Sequence, residues 1–77
     1  MMPLTVLGTG ERAVVKRIGG NQETRSHLAD LGFVTDTVLS VIQSQDGNMI
    51  VNVKDSRLAL TKEMASKIMV DEITHSN

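Results

Sequence analysis

Apolar residues recur at every second position along most of the chain, and one stretch alone shifts to helical spacing. That stretch runs from Asn21 to Phe33. Within it Thr24, Leu28 and Leu31 fall at i, i+4 and i+7, a narrow stripe that one face of a short helix can bury. Asn21 can cap the N-terminus by accepting from an unpaired amide of the first turn. Gln22 and Glu23 follow with polar and negative groups, which the helix dipole favours there. Gly32 comes directly after the stripe and suits the left-handed backbone that ends a helix. Phe33, the sole aromatic residue, would then pin the helix end onto the body. The expectation is one short helix laid over a sheet.

The flanking segments read as strands. Leu4 to Leu7 is a short extended entry and Gly8-Thr9-Gly10 a turn. Because a strand and not a helix follows, the glycine pair is no nucleotide fingerprint. Glu11 to Ile18 is the first long strand, with Ala13, Val15 and Arg17 on one face and Val14, Lys16 and Ile18 on the other. The doubled Val14-Val15 breaks strict alternation and predicts a bulge or two partly covered faces. After the helix, Val34-Thr35-Asp36 turns into a second strand from Thr37 to Gln43 or Ser44, with Thr37, Leu39, Val41 and Gln43 on one face. Ser44 to Asn48 is a hairpin loop around Asp46-Gly47. Met49 to Lys54 is the third strand, Lys54 to Arg57 a tight reversal, and Arg57 to Leu60 the fourth strand, with Leu58 and Leu60 inward. Thr61 caps a single helical turn through Lys67, and Ile68 to Val70 closes the set as a fifth strand.

Short strands, tight hairpins and one intervening helix predict a mostly β fold: a small SH3-like, partly open, antiparallel barrel of about five strands with one short helix and a helical turn. It forms a single domain over residues 1–77, with its core at about 4–70 and a polar tail, 71–77, expected to fray.

Composition narrows the chemistry. The 77 residues contain no cysteine, so neither disulfides nor thiolate metal sites can reinforce so small a core. The hydrophobic share of 40% is too high for a disordered chain. Eight basic and nine acidic residues give a net charge of −1, and no run of Lys and Arg marks a nucleic-acid track or an anionic membrane surface. No apolar stretch reaches the ~20 residues that span a bilayer. Met1 to Leu4 lacks the basic and apolar regions of a signal peptide. The expectation is a soluble, cytoplasmic protein without direct membrane insertion.

The order of features resembles a known family. Gly10-x-x-x-x-Val15-x-x-Ile18-x-Gly20, then Arg25-x-x-Leu28-x-x-Leu31-Gly32-Phe33, then Leu39-x-Val41-Ile42 is similar to the FeoA pattern, and Arg57-Leu58-Ala59-Leu60 with Ala65-x-x-Ile68-x-Val70 resembles its closing part. The likeness covers the chain from about Leu4 to Val70. It implies an SH3-like cytosolic domain accessory to ferrous iron uptake, with FeoB, a membrane transporter carrying a GTP-binding domain, as the expected partner. Two turns depart from the family: Thr35-Asp36 stands where Pro-Gly is usual, and Asp55 where a Gly is usual.

Candidate sites are few. Proline-rich recognition needs an aromatic groove, and one Phe cannot build it. Glu23, His27 and Asp30 lie at i, i+4 and i+7 beside the buried stripe. Together they could offer two carboxylates and an imidazole to Fe2+ or Zn2+, although such residues on a short helix ordinarily form a solvated face. His75 lies in the polar tail. Gly19-Gly20-Asn21 reads as a turn and N-cap, without the Lys-Ser/Thr of a P-loop. No constellation activates a nucleophile, so no enzyme activity, no catalytic residue and no resident cofactor are expected. Protein contact is what the sequence favours. Arg25, Leu28, Leu31, Phe33 and Arg57 are the candidate contact residues, with Val38, Met49 and Met69 as further apolar area. Leu28, Leu31 and Phe33 are first of all core residues. Open edge strands also invite weak self-association. The alternatives are a transition-metal-binding or sensing module, and an activator of the transporter's GTPase in which Arg25 or Arg57 supplies an arginine finger.

Overall fold

The computed structural model describes residues 1–73. Six strands form one antiparallel sheet: β1 (Met2–Pro3), β2 (Arg12–Ile18), β3 (Val38–Gln45), β4 (Asn48–Val53), β5 (Ser56–Leu60) and β6 (Ile68–Ile73). Their order is β1-β6-β2-β3-β4-β5, and the two outer strands do not pair with each other. The barrel is therefore open. Helix α1 (Gln22–Asp30) connects β2 to β3, and the one-turn helix α2 (Lys62–Ala65) connects β5 to β6.

Helix α1 ends as its sequence dictates. The Asn21 side chain accepts from the Thr24 amide at 2.8 Å. At the other end Gly32 has φ 109°. The Gly32 amide donates to Ala29 O (2.9 Å) and the Phe33 amide to Leu28 O (3.0 Å). This double bond pattern is a Schellman stop, and its usual apolar contact partners are the residues bearing the outer bond. Here those are Leu28 and Phe33, both fully buried.

The sheet wraps its inward face around Ala13, Val15, Leu39, Val41, Val51, Val53, Ile68 and Val70, with Leu4, Leu28 and Phe33 filling the interior. Period-two burial on β3 follows the expected face at Leu39 and Val41, and on β4 it places Met49, Val51 and Val53 inside, Met49 against its expected exposure. Asp46 (φ 53°) and Gly47 (φ 86°) form a two-residue loop between Gln45 and Asn48. That pair of positive φ values is the type I′ geometry matching strand twist. The hairpin also anchors α2: Asn48 Oδ1 accepts from the Lys62 amide at 2.9 Å, beside the Thr61 hydroxyl cap on Met64.

Four expectations change. Leu4–Val6 is a 3-10 turn and not an extended entry; Leu4 and Leu7 are buried while Val6 is 63% exposed, a period of three that only a tight helical turn satisfies. A sixth strand exists because Met2 and Pro3 pair with Val70 and Met69. Asp71–Ile73 does not fray, since it continues β6 along Val14, Ala13 and Arg12 of β2; residues 74–77, including His75, lie outside the described residues. Finally, the bulge is present, and it sits at Lys16. Val15 pairs with Val70 and Arg17 with Met69, leaving Lys16 unmatched. The extra residue reverses the faces beyond it, so Arg17 is exposed and Ile18 packs on the core. A second irregularity at Ile42 of β3 likewise leaves Gln43 exposed.

Candidate functional site

Helix α1 presents three surfaces. Its inner stripe, Leu28 with half-buried Thr24 and Leu31, is committed to the core. Leu28 and Phe33 have no accessible surface, which removes both from the candidate contact residues; Leu31 keeps part of its surface. Met49 is also interior, at 2% exposure, while Val38 is 43% exposed.

A second surface faces α2. Glu23 and His27 line an open groove of about 330 Å3 with Thr24, Glu63, Met64 and Lys67. Asp30 is not among the lining residues, so the sequence-derived trio does not share one groove. Among the described residues no three His, Asp or Glu side chains come together closely enough to hold a metal ion. The groove does hold Glu63, a donor the sequence reading did not associate with His27. Lys67 stands beside these residues with a charge that opposes a cation.

The third surface faces the bulged end of β2. An open groove of about 360 Å3 runs between α1 and β2, lined by Lys16, Arg17, Ile18, Arg25, Ala29, Phe33, Val34 and Thr35. Lys16 Nζ pairs with Asp36 Oδ1 at 3.3 Å, both groups partly exposed. Among the described residues Arg17 and Arg25 have no carboxylate within salt-bridge distance. Arg25 was visible as a candidate in the sequence, but Lys16 and Arg17 were not. The signal that could have found them was Val14-Val15, because the bulge it predicts turns two consecutive cations outward. Arg57 lies on β5, at the opposite edge of the sheet from β1, and does not line this groove. A smaller depression of about 170 Å3 lies over β3, β4 and β5, around Gln45, Met49 and Leu60.

One electrostatic feature lies apart from α1. Glu11 accepts from the Gly8 amide and shares a hydrogen bond with Glu72 of β6. The bond to Glu11 and the charge of its carboxylate push the Glu72 carboxyl above the usual carboxylate range. The bonds from Glu72 and the Gly8 amide hold Glu11 below it. Both groups are solvent-facing, which limits what the pair can do beyond tuning local charge.

The fold and surfaces define a small SH3-like module with shallow openings. The chain belongs to the FeoA family: the family model described as "FeoA domain" matches residues 2–72. It is 33% identical over 72 residues to "Putative Fe(2+) transport protein A" of Methanocaldococcus jannaschii, covering 94% of this chain and 88% of the relative. Its backbone is similar to the crystal structure of an iron uptake regulatory protein, FeoA, with TM-score 0.88 and 27% identity over 94% of this chain and 97% of that one. It is also similar to a Stenotrophomonas maltophilia FeoA complexed with zinc and described as a prokaryotic SH3 domain protein, with TM-score 0.80 and 27% identity over 92% and 91% of the two chains. Among the described residues no helix is long and apolar enough to cross a membrane.

Proposed function

We propose that this chain is a non-catalytic accessory module of ferrous iron uptake, acting in the cytoplasm by contact with a FeoB-type transporter. Membership in the FeoA family over nearly the whole chain carries the reading. The physical setting agrees with it. The grooves described above are shallow and open, unlike the enclosed pockets that bury most of a small ligand. A module of this kind acts by binding one state of its partner better than another, which shifts the partner's populations. The test is co-purification of the full chain with the soluble cytosolic domains of a FeoB-type transporter. Saturable one-to-one retention supports the proposal, and no retention on any soluble domain rejects it.

A second reading, metal binding, is favoured by the zinc complex of the S. maltophilia relative. In this chain the donor to examine is His27, in the groove between α1 and α2. Titration with Zn2+ and Fe2+, comparing wild type with His27→Ala, decides it: binding that the substitution abolishes places the ion there, and equal binding by both proteins excludes this site.

A further inference from the structure

The groove between α1 and the bulged end of β2 gathers positive charge. Three of the eight basic residues of the chain, Lys16, Arg17 and Arg25, line it, although the chain carries a net charge of −1. Asp36 partners Lys16, whereas Arg17 and Arg25 have no carboxylate of their own among the described residues. Between the cations lies apolar surface: half-buried Ile18 and Val34 at 40% exposure, over the buried Phe33. Val38, 43% exposed, pairs across the strands with Val14 and does not line the groove. Two local costs build the arrangement. The bulge at Lys16 interrupts a ladder to turn Arg17 outward, and Arg25 sits near the first turn of α1, where the helix dipole disfavours a cation.

From this we infer that the groove lined by Lys16, Arg17 and Arg25 is a docking surface for an acidic protein segment carrying an apolar side chain, the carboxylates meeting the two unpaired guanidinium groups and the apolar side chain resting on Ile18 and Val34. The inference rests on the reading of this protein as a contact module and adds where the contact is made and with what chemistry. Arginine suits the role because its planar fork meets a carboxylate through two hydrogen bonds. Complementary charge also speeds encounter and fixes register more than it adds affinity. A second copy of this chain is disfavoured as the occupant of a two-fold contact, because a groove carrying cations is not complementary to itself.

The test is a nuclear magnetic resonance titration of the full chain with a short synthetic peptide of Glu and Asp around one central Leu. The control peptide carries Gln and Asn in place of the acids. The expected result is saturable shifts at Arg17, Ile18, Arg25 and Val34 with the acidic peptide alone. Charge reversal, Arg17→Glu with Arg25→Glu, weakens binding about tenfold or more. Added salt weakens it too, as the screening length falls from about 10 Å at 0.1 M to about 3 Å at 1 M. Both arginines are exposed, and the Arg17→Gln, Arg25→Gln pair gives a second variant without reversed charge. The proposal is overturned by any of four results: no saturable binding, shifts centred elsewhere, binding unchanged in both variant pairs, or full displacement of the peptide by inorganic phosphate at equal concentration. Self-association that the charge reversal abolishes would make the occupant a second copy and overturn it as well. A parallel titration with the soluble domain of a FeoB-type transporter separates the two claims. Equal binding by wild type and charge-reversed protein removes the groove and leaves the accessory role standing. Peptide binding without transporter binding does the opposite.

Discussion

Gly47 is the position where the hairpin and α2 constrain one residue from two sides. Its φ of 86° is a backbone region that a side chain disfavours, at a cost of roughly 1–2 kcal/mol for an L-residue. A Cβ placed there would lie 2.6 Å from Lys62 Cγ, 2.8 Å from Cδ and 3.1 Å from Cβ. Core overpacking costs about 1–3 kcal/mol, and the exposed lysine stem can swing aside, which keeps this contribution near the low end. Alanine also reduces the freedom of the unfolded chain, offsetting about 0.4–1 kcal/mol. The net expectation for Gly47→Ala is a loss of about 2 kcal/mol, or a melting temperature lower by ~8–16 °C for a domain of this size. Lys62→Ala removes Cγ and Cδ but leaves the 3.1 Å Cβ contact. In that background Gly47→Ala should cost about 1 kcal/mol less, a coupling in the range of touching residues. Urea and thermal unfolding of the four proteins, followed by circular dichroism, measure the cycle. Equal costs of Gly47→Ala in both backgrounds would refute the steric half of the reasoning and leave only the backbone.

Three further outcomes are expected. Asn21→Ala removes the cap on the Thr24 amide and should destabilise the domain by about 1 kcal/mol, while Asn21→Asp stays close to wild type; urea midpoints distinguish the two. Lys54→Gly should stabilise by about 0.5–1 kcal/mol, because Lys54 holds φ 55° in the β4–β5 turn and the relief of left-handed strain exceeds the added freedom of the unfolded chain; a lower melting temperature would contradict this. The Glu11–Glu72 pair gives a pH signature. The raised folded pKa of Glu72 means its favourable contribution is full below the ordinary carboxylate pKa and lost as pH rises through the raised value. The lowered Glu11 value gives the opposite: a contribution present above the ordinary pKa and lost as pH falls through the folded one. Glu72→Gln keeps a donor toward Glu11 without the repulsion, so the variant should melt above wild type at neutral pH, with the gap closing on acidification. A gap constant with pH would show that the carboxylates do not interact.

What the sequence makes legible is whatever local chemistry decides. Asn21, Gly32 and Phe33 specify both ends of α1 through one side-chain cap and one backbone conformation. Asp46-Gly47 specifies a hairpin, and alternation on β3 and β4 specifies the buried face. What escapes is set at long range. Leu4, Val6 and Leu7 carry too few positions to separate a strand from a 3-10 turn. Asp71-Glu72-Ile73 looks like a tail because it opens with two acidic residues, yet its order comes from backbone pairing with Arg12, Ala13 and Val14. The turn departures are half legible. Asp36, where the family favours Gly, does hold a positive φ of 72°, but in the next hairpin the left-handed residue is Lys54 and not Asp55. The basic groove is the hardest to read. Parity along β2 places Arg17 with Ala13 and Val15, and only the unmatched Lys16 in the ladder with β6 brings Arg17 out beside Arg25.

The account holds that this module works by preferring one state of a larger partner. Calorimetric titration of the full chain into the cytosolic domains of a FeoB-type transporter, once nucleotide-free and once with a non-hydrolysable GTP analogue, measures that preference directly. The account predicts saturable binding whose affinity differs between the two nucleotide states by about fivefold or more, the scale of a functional coupling. Equal affinity in both states, or no binding in either, would contradict it.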